Sequence, residues 1–269
     1  MKDIIKINNL NYQYNNQYIL SDINFIIKEG QTNAIIGNNG SGKTTLLKAL
    51  LGLIKYEGNI YIDDLLLNEE NMLKIRSKIG VVFEDFNDSF ILDTIEDDIA
   101  FPLENLGYDK EIIEHMITDI SKSLDINHLL KRNSNTLCGI EKFLCALGIS
   151  LVTKPKILII DNSLDILDII TKNKILKIIT KLQKEKKLTV IYLTHNILDF
   201  HNIDNIIILN KGKILINDSY NNVIKEDKIF NRIGIEIPFM IDLSLKLKLY
   251  GLVDNVIIDM DKMVDEIWK

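Results

Sequence analysis

Gly37-Asn38-Asn39-Gly40-Ser41-Gly42-Lys43-Thr44-Thr45 is the stretch that decides the fold, because it fits G-x-x-x-x-G-K-[ST] at every fixed position. A short β-branched run, Thr32–Ile36, precedes it, and residues 44–51 have helical spacing. A glycine-rich loop between a strand and a helix presents backbone N–H groups and a helix N-terminus to phosphate. Chance can produce the fixed positions, but chance does not explain the flanking strand and helix. The stretch therefore predicts that residues 37–45 bind a nucleotide.

Three side chains are expected to complete the phosphate and metal side of this site. Lys43 is expected to reach the β- and γ-phosphates, and the Thr44 hydroxyl to ligate Mg²⁺. Residues 157–160 are wholly apolar, which is typical of a strand buried on both faces, and Asp161 follows directly. In NTPases with such a loop a strand-end aspartate holds Mg²⁺, so Asp161 is predicted in that role. The alternative is a surface aspartate that caps the next helix.

The order of the predicted elements indicates an α/β fold with a parallel core sheet. From residue 141 onward helices and strands alternate, which is typical of parallel strands covered by helices. The N-terminal runs and the pair flanking Asn210-Lys211-Gly212, a hairpin signal, predict an added antiparallel β layer. Beyond about residue 217 the pattern weakens, and we expect a small helical appendage. Strands are predicted at residues 4–10, 23–28, 32–36, 59–63, 79–83, 157–160, 189–193, 205–209 and 213–217, and helices at 44–51, 109–131, 141–152 and 170–184.

Composition narrows the class of protein. The 269 residues suggest one large domain or two, with 26% charged and 46% hydrophobic residues in ordinary globular proportion. A net charge of −6 gives no indication of a nucleic-acid partner. The longest apolar run, residues 143–149, is far shorter than the roughly 18 residues that a spanning helix needs. With only Cys138 and Cys145, and no secretion signal at the start, we expect an intracellular protein.

The chain resembles the ATP-binding subunits of ABC transporters, in the loop at residues 37–45 and in Thr194-His195, which ends a second buried strand. The resemblance covers nearly the whole chain and implies a P-loop NTPase that binds ATP. It also implies that Tyr14 stacks on adenine and that His195 contacts the γ-phosphate, although a lone histidine at a strand end is more often structural. The D-loop aspartate of the family corresponds to Asp168.

Two less specific segments resemble the energy-coupling factor branch, which powers uptake of vitamins and transition-metal ions. They are Thr94-Ile95-Glu96-Asp97-Asp98-Ile99-Ala100-Phe101 and Glu236-Ile237-Pro238-Phe239. The branch implies a transmembrane coupling subunit, a substrate-binding membrane subunit and a peripheral position on the cytoplasmic face of the cell membrane. We expect an ATP-binding domain at residues 1–220, with a helical subdomain at about 84–153. Residues 221–269 would be an appendage that either contributes to dimerisation or only caps the domain.

Two positions near the predicted metal depart from the family pattern. The family has a glutamate directly after the strand-end aspartate, where it polarises the attacking water, and this chain has Asn162. An amide can orient a water but cannot accept its proton, and loss of a general base typically costs about 10² to 10⁴ in rate. Glu84 replaces the glutamine that links the nucleotide to the transmembrane partner. Its carboxylate can still ligate Mg²⁺.

The signature loop of the family, L-S-G-G-Q, is matched here by Leu137-Cys138-Gly139-Ile140-Glu141. In ABC dimers this loop begins a helix that closes over the nucleotide of the partner subunit. Cys138 is a weaker donor than serine, Ile140 is bulky where glycine allows close approach, and Glu141 adds negative charge near an anion. These changes predict weaker closure. The alternative is that the loop has drifted and still works.

Acidic side chains are concentrated just before the first helix of the predicted subdomain. An ordinary solvated loop is one interpretation. The other is an electrostatic dock for basic coupling helices of a membrane subunit. The residues are Glu84, Asp85, Asp88, Asp93, Glu96, Asp97 and Asp98.

The two altered positions act differently in different dimers, because each ABC site joins the loop of one chain to the signature of the other. In a homodimer both sites combine Asn162 with the altered signature, and we expect hydrolysis near background. With an intact second ATPase subunit each site keeps one defect, which favours a heterodimer with slow turnover. The alternative functions are a regulatory or structural subunit that binds ATP but hardly hydrolyses it, and a soluble ABC protein acting on the ribosome or DNA.

Overall fold

A six-stranded sheet carries the phosphate-binding loop. The computed structural model describes residues 1–162, 164, 167–195, 203–224, 230, 234–235, 239–257 and 260–268. Side by side, the strands of this sheet are β10 (Lys213–Ser219), β9 (Asn205–Asn210), β3 (Thr32–Ile36), β8 (Thr189–Thr194), β7 (Ile157–Asp161) and β6 (Ile79–Val82). β3 pairs in parallel with β8 and β9, and β7 with β8 and β6. The predicted parallel sheet is confirmed, and the carboxyl ends of β3, β6, β7 and β8 meet at one edge.

The central strands are buried on both faces. Every residue of β7 and β8 is buried, as expected for runs that are apolar without alternation. β10 instead alternates and pairs antiparallel with β9 at the edge of the sheet. Lys211 and Gly212, with φ of 46° and 74°, make the turn between them, so the predicted hairpin is confirmed.

A second, antiparallel sheet lies at the N-terminal end of the chain. Its order is β2 (Gln17–Lys28), β1 (Asp3–Tyr14), β4 (Glu57–Ile62) and β5 (Leu65–Leu66). β1 and β2 are longer than the predicted strands at residues 4–10 and 23–28. Asn15 and Asn16 adopt left-handed conformations, with φ of 48° and 61°, and form a tight turn that extends the pairing to Tyr14 and Gln17.

The first helix, α1 (Lys43–Leu50), packs between the two sheets. Leu46, Leu47 and Leu50 belong to the same buried cluster as Ile7 of β1 and Ile35 of β3. Each fully buried side chain of this size contributes roughly 1.5–3 kcal/mol. The helix behind the phosphate-binding loop is therefore held by apolar contacts with both sheets, which fixes the direction of its N-terminus.

The chain between β6 and β7 is mainly helical. α3 (Ile95–Asn105), α4 (Lys110–Leu124) and α5 (Gly139–Leu151) share one hydrophobic cluster with the core sheet and with α6 (Ile169–Lys186), and the short α2 (Met72–Arg76) precedes β6. The prediction of a helix up to residue 131 is wrong. α4 ends at Leu124 because Asp125 adopts a left-handed conformation, and a 3₁₀ turn follows at Asn127–Leu129.

The C-terminal part is helical where the structure describes it. α7 (Tyr220–Val223), α8 (Phe239–Leu249) and α9 (Met260–Ile267) follow β10, and the Ser244 hydroxyl accepts the Ile257 N–H at 2.7 Å. Residues 236–238, part of the segment that resembles the energy-coupling factor branch, lie outside the described residues. No helix within the described ranges has the length and apolar character needed to cross a membrane. The division at residue 220 stays a prediction.

Candidate nucleotide-binding site

The phosphate-binding loop runs from the end of β3 to the first turn of α1. A Cβ at Gly37 would lie 2.3 Å from the Leu209 carbonyl oxygen and 2.5 Å from Ser41 Oγ, so space excludes any side chain. Gly42 has a φ of 108°, and a Cβ there would lie 2.8 Å from the Leu20 side chain. Close approach at one position and backbone conformation at the other explain why this loop needs both glycines.

Lys43 begins α1, and its side chain turns back over the loop. The ammonium donates hydrogen bonds to the carbonyl oxygens of Gly37 at 2.5 Å and Asn38 at 3.3 Å, although the residue is only 5% exposed. Two residues earlier, the buried Ser41 hydroxyl has no hydrogen-bond partner among the described residues. A buried cation and an unpartnered hydroxyl at a helix N-terminus form a surrounding suited to an anion.

Two carboxyl groups come together where β6 and β7 end. Val82 pairs with Ile160, so Glu84, two residues after the end of β6, and Asp161, the last residue of β7, lie at the same edge of the sheet. Burial raises the pKa of Asp161, the charge of Glu84 raises it further and Lys43 opposes both, which leaves it at about 6. Asp161 Oδ1 is buried with no hydrogen-bond partner in the described part of the chain. Two carboxylates beside a lysine offer oxygen ligands at this edge.

Asn162 lies directly after Asp161 in a left-handed conformation, with a φ of 46°. Its N–H donates to the Leu193 carbonyl oxygen at 2.9 Å, and its side-chain oxygen is buried without a partner within the described ranges. Asparagine adopts this conformation more readily than glutamate does. Asn162 therefore suits the local backbone better than the glutamate of the family pattern would.

His195 follows β8 at the side of the phosphate-binding loop. The Gly37 N–H donates to the carbonyl oxygen of Thr194 at 3.1 Å, which joins the end of β8 to the start of the loop. His195 is exposed next to this junction. The end of β8 and the start of the phosphate-binding loop, which are more than 150 residues apart in sequence, are thus brought together.

Tyr14 ends β1 at the tight turn of the N-terminal hairpin and is 62% exposed. Its ring is available for a flat aromatic contact, which is the property that stacking on a base requires. Tyr12, two residues earlier, is instead partly buried against the cluster around α1. Of these two tyrosines, the accessible one is the predicted adenine contact.

The predicted signature segment forms the start of α5. Cys138 is exposed, and its N–H donates to Glu141 Oε2 at 2.9 Å; this bond is the main cause that holds the pKa of Glu141 below its ordinary value. Arg132 lies 3.7 Å from the same carboxyl group. Ile140 is half-buried and packs against the main hydrophobic cluster, so its bulk is partly accommodated within its own chain. The carboxylate of Glu141 is therefore the acceptor for the Cys138 N–H at the N-terminus of α5.

Comparison with known proteins decides the family. The ABC transporter domain matches residues 20–165. The energy-coupling factor transporter ATP-binding protein EcfA1 of Mesomycoplasma hyopneumoniae is 33% identical over 99% of this chain and 98% of its own length. The protein of the same name from Ligilactobacillus salivarius is 36% identical over 98% and 95% of the two chains. The chain belongs to the ABC transporter ATP-binding family.

A solved structure agrees with this assignment. The ABC ATPase cbiO1 of Clostridium perfringens, part of the ABC transporter complex cbiONQ, has a TM-score of 0.78 at 28% identity and covers 90% of this chain and 99% of its own. The predicted ABC ATPase fold and the energy-coupling factor branch are both confirmed. Tyr14, Asp168 and His195 lie outside the matched domain but within the length shared with the curated relatives.

The acidic segment of this ABC ATPase is not the uniformly exposed surface that an electrostatic dock requires. Asp98 is 2% exposed, and its Oδ1 accepts the N–H groups of Ile91 and Leu92 at 2.9 and 3.0 Å. Asp97 accepts a hydrogen bond from the Thr94 hydroxyl at the start of α3. Because these carboxylates hold local structure, the interpretation of the whole segment as a dock is wrong for Asp98.

Asp168, at the predicted D-loop position, and Arg132, which belongs to no motif, both make contacts at the start of a helix of this ABC ATPase. Asp168 caps α6 by accepting the N–H groups of Ile170 and Thr171, each at 3.0 Å. The predicted D-loop position therefore has a structural role at a helix start. Arg132 belongs to no motif, and no sequence signal connects it with Glu141. The burial of Asp98 could have been expected, since it shares the helical face of Ile95 and Ile99.

Proposed function

We propose that this chain is the ATP-binding subunit of an importer of the energy-coupling factor kind, at the cytoplasmic face of the cell membrane. In this proposal ATP binding closes a dimer of ATP-binding subunits, and hydrolysis and release reopen it. The motion is passed to a transmembrane coupling subunit and a substrate-binding membrane subunit. The cargo class is a vitamin or a transition-metal ion.

The observation that carries the proposal is that Glu84 and Lys43 both affect the ionisation of Asp161, whose buried Oδ1 has no hydrogen-bond partner among the described residues. Mg²⁺ is held in nucleotide sites by one or two carboxylates together with substrate phosphates and water. The Thr44 hydroxyl, the unpartnered oxygen of Asp161 and the carboxylate of Glu84 are the donors that would hold it. When bound, Mg²⁺ neutralises charge that develops on the phosphates.

In this proposal each remaining site residue contacts a different part of the nucleotide. Lys43 and the loop N–H groups bind the β- and γ-phosphates, Tyr14 stacks on adenine, and His195 contacts the γ-phosphate beside Thr194. Asn162 orients water without taking its proton. Hydrolysis is therefore slow at the site that this chain's loop forms.

A second ATPase subunit is part of the proposal because the two defects fall on different faces. Asn162 is near the phosphate-binding loop, whereas Cys138, Ile140 and Glu141 start α5. In a heterodimer with an intact partner each composite site has one altered face, whereas a homodimer has two altered faces in each. An assembly with a second ATP-binding subunit is the one that retains turnover.

The membrane partner is proposed to contact the segment after β6. Ile91 is 62% exposed on the turn that Asp98 holds, and Phe83 and Leu92 are also exposed nearby in sequence. An exposed apolar group beside acidic residues such as Asp88 suits an amphipathic partner helix with a basic flank. The contact is thus apolar as well as electrostatic.

The test compares the purified chain with the complex isolated from membranes of the source organism through a tag on this chain. The chain alone should bind ATP and hydrolyse it near background. The complex should contain a second ATP-binding subunit and membrane subunits and should hydrolyse ATP. Lys43→Ala should abolish ATP binding by the chain alone and, in the complex, should remove binding at this chain's loop only. Rapid hydrolysis by the chain alone would refute the heterodimer, and recovery only with ribosomes would refute transport.

A regulatory subunit that binds ATP but hardly hydrolyses it is the second candidate. It is favoured by Asn162, whose left-handed backbone suits asparagine, and by the capped signature of Cys138 and Glu141. The distinguishing result is the activity of the isolated complex when only the partner's phosphate-binding loop is inactivated. Complete loss of hydrolysis would assign this chain the regulatory role.

A further inference from the structure

The start of α5 carries a carboxylate at a helix end that would otherwise attract an anion. Glu141 is the third residue of α5, and its Oε2 accepts the Cys138 N–H at 2.9 Å. The first N–H groups of a helix have no acceptor within the helix, and they favour negative charge. A Cβ at Gly139 would meet no other described atom within 4 Å, so there is open space beside these groups. The charge of Glu141 therefore decides how well an anion is accepted here.

Arg132 is the cation that faces this carboxyl group. Its Nη1 lies 3.7 Å from Glu141 Oε1, the oxygen that does not accept the Cys138 N–H. The hydrogen bond from Cys138 is the largest cause that lowers the pKa of Glu141, and the charges of Arg132 and His128 lower it further. The two carboxyl oxygens of Glu141 thus have different partners, both within the same chain.

The two nearest lysines in sequence have other partners. Lys131, next to Arg132, forms its ion pair with Glu96 at the start of α3. Lys142, next to Glu141, donates from Nζ to Asn87 Oδ1 at 2.9 Å. Of these three cations, Arg132 is the one that forms an ion pair with Glu141.

Arg132 is itself held in a fixed position. Its carbonyl oxygen accepts the Ile95 N–H at 3.1 Å, which attaches it to the start of α3. Its guanidinium donates from Nη2 to the Thr136 carbonyl oxygen and from Nε to the Thr136 hydroxyl at 3.3 Å. A planar guanidinium has enough donors to hold a loop and to face a carboxylate at the same time. Arg132 therefore contacts the residue just before the signature segment and the last residue of that segment.

We propose that Arg132 is a positioning residue of the signature segment: it holds the Glu141 carboxylate back on the Cys138 N–H and offsets its charge, so that the start of α5 accepts the γ-phosphate of the partner subunit's nucleotide. The inference rests on the proposed function, because it takes the signature segment as one face of a composite ATP site. It adds that one of the three changes in this segment is compensated within the chain. Cys138 and Ile140 remain the changes that weaken closure.

The test uses the complex isolated through a tag on this chain. In the proposed function Asn162 makes hydrolysis slow at the site formed by this chain's loop. Steady-state hydrolysis by the complex therefore comes mainly from the other site, which contains the signature segment of this chain. The KM for ATP and kcat are measured separately, because repulsion of the bound nucleotide acts on KM.

Arg132→Gln removes the charge and keeps a donor for the Thr136 carbonyl oxygen. It should raise KM by about three- to fivefold, the range expected for a partly exposed ion pair, with a smaller change in kcat. Arg132→Lys should keep KM within about twofold of wild type, because it keeps the charge. Adding Glu141→Gln to Arg132→Gln should restore the wild-type KM. Lys131→Met is the matched control and should keep the wild-type KM, since the partner of Lys131 is Glu96.

An unchanged KM in Arg132→Gln would overturn the inference. A raised KM that Glu141→Gln does not restore would also overturn it, because Arg132 would then only support the loop through Thr136. Circular dichroism of the chain alone identifies loss of fold in each variant.

Glu141→Gln by itself is a second test that leaves Arg132 intact. Because the charge is already offset, KM should stay within about twofold of wild type. A several-fold fall in KM would mean that the carboxylate repels nucleotide in the wild type, which contradicts the inference. A wild-type complex that does not hydrolyse ATP would instead refute the proposed function, and the inference with it.

Discussion

Glu84 and Asp161 present two carboxyl groups to the same edge of the core sheet, and the charge of Glu84 adds to the effect of burial in raising the pKa of Asp161 to about 6. The family pattern has an uncharged glutamine at the first of these positions. Replacing an amide by a carboxylate increases the demand for a cation between them. In the proposed function the pair would make nucleotide binding more dependent on Mg²⁺ than a site with a single carboxylate.

Glu84→Gln should raise the Mg²⁺ concentration required for ATP binding by roughly tenfold, because a charged ligand is lost from the metal site. Titration of a fluorescent ATP analogue at a series of Mg²⁺ concentrations measures this shift. Asp88→Asn is the matched control, since Asp88 is an exposed acid in the same segment. Equal shifts in the two variants would mean that only the general charge matters.

Tyr14→Ala should weaken ATP binding by about tenfold, in line with roughly 1–3 kcal/mol for stacking on one base. Tyr14→Trp should retain the affinity. Tyr18→Ala is the control, because Tyr18 is 58% exposed on the partner strand of the same hairpin, paired with Gln13. Isothermal titration with ATP checks all three variants, and an equal loss in Tyr18→Ala would contradict a specific role for Tyr14.

The elements of the core sheet could be predicted because their sequences have a single interpretation. Residues 157–160 are apolar on both faces, and glycine is required at Gly37 by space and at Gly42 by conformation. Local chemistry therefore determined both the parallel sheet and the loop. The end of α4 could not be placed from periodicity, because the left-handed conformation of Asp125 stops a pattern that continues in sequence.

The contacts around the site were less predictable, because they depend on partners distant in sequence. The charge of the acidic segment predicts an exposed surface, whereas Asp98 is buried and accepts the N–H groups of Ile91 and Leu92. The contact of Phe86 with Phe143 joins residues of two segments that no local pattern relates. Motifs identify the chemical groups of a site, and tertiary packing decides which of them face a ligand.

Asp63 follows β4 of the antiparallel sheet and contacts lysines that precede strands of both sheets. These contacts make the stability of the protein depend on pH. Its carboxylate, 5% exposed, lies 2.6, 2.5 and 2.8 Å from the ammonium groups of Lys2, Lys78 and Lys156. Burial alone raises the pKa of Asp63, but hydrogen bonds from the lysines outweigh it and hold the pKa far below its ordinary value. The stabilisation is therefore fully present above pH about 4, where the unfolded aspartate is ionised, and is lost as the pH falls below it.

Asp63→Asn should lower the free energy of unfolding at pH 7 by about 2 kcal/mol, less than for a fully buried pair because Lys2 and Lys156 are nearly half exposed. The variant should also lose less stability than wild type between pH 5 and about 3. Asp64→Asn is the control: Asp64 is 73% exposed, has one lysine partner and shares the left-handed conformation that asparagine tolerates. Urea unfolding at several pH values measures both effects, and parallel pH profiles for wild type and Asp63→Asn would contradict the assignment.

Asn162→Glu tests whether the missing base limits hydrolysis, and the backbone adds a second expectation. A glutamate in the complex with the partner subunits should raise ATP hydrolysis, by up to about 10² to 10⁴ if proton transfer is limiting. The left-handed conformation, with a φ of 46°, should at the same time lower stability by about 1 kcal/mol, since glutamate tolerates it less well than asparagine. Asn162→Asp separates the two effects, because aspartate accepts this conformation but places its carboxylate one methylene short. A rise in hydrolysis for glutamate alone, with a lower melting temperature, identifies a base at full reach as the limiting group. Unchanged hydrolysis in both variants would place the limit in the signature segment of Cys138 and Glu141.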